Sequence, residues 1–205
     1  NGFSRDVLFP NKHAACFTGF LGLVLGTIYC TCDWIFFLPV HFAIYNFASE
    51  FLYLIIQEIV IPIVICYFLL LFLFKEPVSY KLTVSAYMLF GFYAVQSPYF
   101  TITRYETLSP FLLLIKPIMQ LGLCTAVYCL FSIICTNGKK NFAAVLAVPS
   151  LLVMLVLPAV IETMWFLGAD AQLWATGSII YTVLAYIVSP ILARSSLHQP
   201  AEEDF

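Results

Sequence analysis

The sequence predicts an all-α fold, a polytopic transmembrane helix bundle of six spans. Hydrophobic residues make up 62% of the 205-residue chain and charged residues only 10%, whereas a soluble domain is roughly 45–50% apolar and about 25% charged. Mean hydropathy is +0.98. Several apolar runs reach the roughly 20 residues that a helix needs to cross a hydrocarbon core about 30 Å thick. A chain of this length forms one bundle, expected at 15–193, between a cytoplasmic segment at 1–14 and a short, solvated acidic tail at 194–205 that carries Glu202, Glu203 and Asp204.

The first apolar run, 15–31, reads as a retained crossing rather than a removed leader. The stretch 34–49 that follows has Asp33 and Trp34 at its start and is short for a second crossing. Its Trp34, Phe36, Phe37, Tyr45 and Phe47 suit a segment at or dipping into the interface, where amphipathic rings sit at headgroup depth. A seventh, short span there is the alternative. The remaining spans are expected at 51–74, 82–102, 108–135, 142–167 and 173–193, separated by polar breaks at 75–81, 103–106, 136–141 and 168–172.

Lys and Arg enrich cytoplasmic loops and so choose between the two topologies. Six spans put Arg5, Lys12, Lys75, Lys81, Lys139, Lys140 and Arg194 on one side and only Arg104 on the other. Seven spans move Arg5 and Lys12 across and weaken the split to five against three. The sequence therefore favours six spans with both termini cytoplasmic, in a plasma or inner membrane.

Several function classes lack their chemistry. The formal net charge of −2, with no basic cluster larger than Lys139 and Lys140, gives nucleic acid no footing. No glycine-rich phosphate-binding loop with its lysine is present, so ATP hydrolysis by that route would need a separate ATPase. His13, His41 and His198 are isolated from one another, and neither a haem, a zinc site nor any other cofactor is implied. The seven cysteines lie mostly in apolar runs and read as small hydrophobes rather than a disulfide framework. Cys30, Cys32 and Asp33 bring two thiols and a carboxylate together, short of the four ligands of a structural zinc site. Aromatics crowd the region from Tyr80 to Phe100, which suits core packing and interfacial belts, with an aromatic-lined pocket as the other reading.

Ionisable residues inside the apolar runs carry more information. Glu58, Lys116 and Glu162 each stand where a charge costs at least about 2.5–3.5 kcal/mol, so they should face the bundle interior, pair, or line a wet cavity. Each is eight residues from an expected outer boundary: Glu58 from Glu50, Lys116 from Leu108 and Glu162 from Asp170. At about 1.5 Å per residue all three fall about 12 Å below the same face. Pro62 follows Glu58 by four, Pro117 adjoins Lys116, and Pro158 precedes Glu162 by four. Proline removes an amide donor and frees a carbonyl, which at membrane depth must find protein or water. Gln57, Gln96 and Gln120 add neutral donors and acceptors at a similar level.

These residues predict an outward-facing intramembrane site for a small solute. Two carboxylates and one ammonium sum to one negative charge when all are ionised, which favours a cation, a proton or an amine-bearing zwitterion. The alternatives are an integral-membrane enzyme acting on lipid or thiols through Cys30, Cys32 and His41, and a non-catalytic assembly subunit in which the charges lock helix register. A small-residue stripe at Ala15, Gly19, Gly22 and Gly26 lies on one face of the first helix, and close backbone approach there suits docking of a partner membrane subunit or packing within the bundle. In size and span number the chain resembles the substrate-binding subunits of energy-coupling-factor vitamin transporters, and also short permease subunits of exporters. The resemblance covers architecture, not signature residues, and implies both a docking face on the first helix and a separate ATPase.

Overall fold

The computed structural model describes residues 12–37, 46–73, 78–104, 110–136, 142–168 and 170–197. Among these the chain is helical throughout, with no strand. Helix α1 spans Lys12–Cys32 and runs on through a π-helical turn, Asp33–Phe37. Helix α2 (Phe47–Leu54), a π-helical segment (Ile55–Val60) and α3 (Ile61–Leu73) follow one another without a break. Then come α4 (Val78–Arg104), α5 (Pro110–Thr136), α6 (Phe142–Phe166) and α7 (Ala171–Leu197).

Local chemistry sets several of these ends. The Asn46 side chain accepts a hydrogen bond from the Ser49 amide at 2.9 Å and caps α2. Pro110 opens α5, where its missing amide would have had no helical partner. Gly168 has a φ of +87°, the left-handed conformation that ends a helix at no steric cost, and its amide closes back on the Trp165 carbonyl at 2.9 Å. Two residues on, the carboxylate of Asp170 accepts from the Gln172 amide at 3.2 Å and starts α7.

Five stretches are long and apolar enough to cross a membrane: His13–Phe36, Phe47–Leu69, Leu114–Cys135, Val145–Trp165 and Ala171–Arg194. Large apolar side chains stand exposed on these helices, among them Phe17 and Phe20 at 63% and Leu114 at 66%. Few water-soluble surfaces show so much; hydrocarbon is the solvent that fits, and the protein is a multi-pass helical bundle.

The expected span at 82–102 falls in α4, which is not among those five. At 27 residues α4 is about 40 Å long, ample for a crossing. It is less apolar because much of its surface is packed by α1, α3 and α5, and it buries Thr83, Ser85, Gln96, Ser97 and Thr101. The face packed by those neighbours has no need to be apolar toward lipid. Of the expected interfacial segment at 34–49, residues 34–37 extend α1 and residues 46–49 open α2. The rest of it, with His41, lies outside the described residues, as do the termini at 1–11 and 198–205.

The small-residue stripe is used inside the chain. Helices α1 and α4 run parallel, with Gly19 over Tyr87, Gly22 over Met88 and Phe92, and Gly26 over Phe92 and Val95. A Cβ at Gly22 would stand 2.0 Å from the Met88 carbonyl oxygen, and one at Gly91 would stand 2.1 Å from that of Gly19. At Gly19, Gly22 and Gly26 the expected partner-docking face is therefore covered by α4 itself, because only glycine lets the two backbones come so close.

The apolar core lies among α3, α4, α5 and α6, around Met88, Leu89, Phe92, Leu123, Val127 and Leu151, with Tyr67 stacked on Phe131 at 4.3 Å between ring centroids. A smaller cluster of Ile115, Trp165 and Trp174 closes the end of the bundle that carries Gly168. It lies one residue from Lys116, on the side where the charges meet.

Candidate functional site

The site grows out of the π-helical segment between α2 and α3, where the α-helical hydrogen-bond pattern is interrupted. In the π-helical segment the Ile61 amide bonds to the Ile56 carbonyl, one residue further back than in an α-helix. Pro62 then has no amide to offer. The carbonyls of Gln57 and Glu58 are left for other donors, and side chains from two helices supply them. The Gln57 carbonyl accepts from Tyr29 Oη at 2.9 Å and from Gln96 Nε2 at 3.0 Å. The Glu58 carbonyl accepts from Tyr93 Oη at 2.8 Å. Tyr29 Oη also lies against the side-chain oxygen of Gln57. Such π-segments are concentrated at functional sites because they re-aim side chains within a helix.

Here the segment aims Glu58 at Lys116. Lys116 Nζ donates to Glu58 Oε1 and to Glu162 Oε2, each at 2.9 Å. The side chains of Lys116 and Glu162 are both 1% exposed and that of Glu58 is 9% exposed, so the three charges form one unit sealed from the surroundings. The face of Phe100, itself fully buried, adds a cation–π contact with Nζ 5.5 Å from the ring centroid. Residues from the π-helical segment, α5 and α6, with Lys116 58 positions from Glu58 and 46 from Glu162 in sequence, thus meet.

Gln120 lies one turn along α5 from Lys116. Its side chain is buried, and neither its oxygen nor its nitrogen has a hydrogen-bond partner among the described residues. Glu162 Oε1 is in the same condition. A cavity of about 10 Å³, bordered by Glu58, Gln120, Glu162, Met119 and Pro158, lies beside them. That is room for one water-sized particle, with polar groups facing it.

Of the six expected site residues, Glu58, Lys116 and Glu162 form the triad and Gln120 borders its cavity. Gln57 and Gln96 brace the π-segment behind it. Sequence reasoning did not reach Tyr29, Tyr93 and Phe100; the signal for the tyrosines was the carbonyl that Pro62 frees, which demands a donor without saying which. Replacing Tyr93 by Phe keeps the ring and removes the donor to the Glu58 carbonyl. Tyr93→Phe should cost about 1–3 kcal/mol, seen as a lower unfolding midpoint in detergent. An unchanged midpoint would mean that the hydroxyl does not hold the break.

Of the thiol-based arrangement, the described residues include the two cysteines and Asp33. Cys30 is buried and Cys32 exposed, two residues apart on a helix and hence on different faces. Buried Asp33 instead accepts from Tyr99 Oη at 2.9 Å. His41 lies outside the described residues. Comparison of the chain with protein-family models, with curated proteins and with solved structures gives no match.

Proposed function

We propose that this chain is a six-crossing membrane transport component whose solute site is the Glu58–Lys116–Glu162 triad. The observation that carries the reading is the pairing of one ammonium with two carboxylates, each at 2.9 Å, in a sealed pocket beside unpartnered atoms of Gln120 and Glu162. Buried charge is costly in a membrane and persists where it is used. With all three groups ionised the triad is one negative charge in excess, and the space beside it takes a single water-sized particle. The solute that suits both is a proton or a bare monovalent cation. The counting of Lys and Arg supports an orientation with the triad end outward and the end with Lys81 and Arg194 in the cytoplasm. A partner subunit or separate ATPase would dock on a lipid-facing side of the bundle rather than on Gly19, Gly22 and Gly26.

The test is flux in sealed liposomes. The reconstituted protein should admit protons or sodium down an imposed gradient, and Glu162→Gln and Glu58→Gln should each reduce that flux to background while both variants remain folded in detergent. Flux in the variants equal to that of the unaltered chain would overturn the proposal. The pairing of both carboxylates with the one ammonium favours a second reading, a structural lock in an assembly subunit, and absence of flux in every form would select it.

A further inference from the structure

A second cavity lies at the opposite end of the bundle and has no part in the triad. Helices α4 and α7 both pack on α5 and leave between them a groove of about 530 Å³. Ala86, Tyr87 and Phe90 follow one face of α4 along it, and Tyr186, Pro190 and Arg194 follow one face of α7 at four-residue spacing. The walls therefore run parallel to the helix axes for about 10–12 Å. Phe90 is 50% exposed and Tyr186 47%, so the groove opens sideways, toward the hydrocarbon that surrounds the apolar helices. Its volume lies within the roughly 300–1,000 Å³ of ligand pockets.

Charge distinguishes this groove from an ordinary gap filled by passing lipid. Arg194 is its one charged lining residue among the described residues and stands in the last turn of α7. An apolar channel within the membrane that ends in a cation at its margin is complementary to an amphiphile with an anionic head. Arginine has five donors in a planar fork, enough to hold a phosphate as well as its partners within the protein.

We infer that this groove binds one anionic phospholipid, with an acyl chain along Tyr87, Phe90 and Tyr186 and the phosphate at Arg194. The inference does not depend on the triad carrying solute. It is tested by native mass spectrometry of the delipidated full chain, titrated with dioleoyl phosphatidylglycerol, with dioleoyl phosphatidylcholine and with glycerol phosphate as a head without chains. The anionic lipid should bind about tenfold more tightly than the zwitterionic one, the scale of a charge-assisted contact, and glycerol phosphate should not bind. Arg194→Gln should abolish the preference and keep phosphatidylcholine binding, which also shows that the variant folds; Arg194→Lys should retain part of the preference. Ala86→Phe, which fills the groove, should weaken both lipids, and Thr125→Phe on the α5 floor should do the same. Equal affinity for the two lipids would overturn the inference. So would competition by glycerol phosphate, which would mark a soluble-anion site, or a dimer whose formation excludes lipid, which would mark a groove for a second copy.

Discussion

Lys116→Met is expected to destabilise the bundle by about 3–5 kcal/mol, the largest effect of any single substitution considered, because it leaves buried carboxylates without their counter-charge. Both oxygens that lose their partner lie 2.9 Å from the same nitrogen. With Lys116 gone, Glu58 and Glu162 face each other across a space that water does not reach freely. Methionine matches the lysine stem in length and flexibility, so lost packing contributes little. Unfolding in detergent against a graded denaturant should show the loss as a large drop in midpoint. A drop no greater than that of an ordinary surface substitution would mean that the ammonium is not where the three segments meet.

The second large effect is expected at the crossing of α1 and α4. Alanine at Gly22 would place its Cβ 2.0 Å from the Met88 carbonyl oxygen, and alanine at Gly91 would place it 2.1 Å from that of Gly19. Both obstacles are backbone atoms, which cannot turn aside as a side chain can. The helices must therefore separate, and overpacking of this kind costs typically about 1–3 kcal/mol, at times more. Gly177 provides the control, since a Cβ there meets nothing nearer than the Ile161 side chain at 3.9 Å. Gly22→Ala and Gly91→Ala should each lower the unfolding midpoint and lengthen the distance between spin labels on α1 and α4. Gly177→Ala should leave the midpoint unchanged or raise it, because alanine favours a helix over glycine by about 1 kcal/mol. Equal behaviour of all three would place the close approach elsewhere.

The contrast between these two features shows what a single sequence conveys. That Glu58, Lys116 and Glu162 could meet was legible because a helix has a fixed rise per residue, so equal offsets from Glu50, Leu108 and Asp170 put them at one level of the bundle. That Glu58 would sit beside a freed carbonyl was legible from Pro62. Which groups answer that carbonyl was not, because Tyr93 and Gln96 come from a helix more than 30 residues away and a free acceptor does not name its donor. The glycine stripe likewise announced a close approach without naming its partner. The span expected at 82–102 was legible as an apolar run, but its packing against α1, α3 and α5 was not, because the neighbours come from distant parts of the chain. The groove at Arg194 was out of reach, since it exists only once three helices are in place.

The central claim, that the two glutamates and the lysine act as one sealed unit, is tested most directly by removing all three charges together. Unfolding of Glu58→Gln/Lys116→Met/Glu162→Gln is compared with that of Lys116→Met alone. A unit whose members matter chiefly to one another should regain most of the stability lost in the single variant, because no buried charge is left uncompensated. A triple variant as unstable as the sum of its separate substitutions would show that the three side chains act apart, and would contradict the site described.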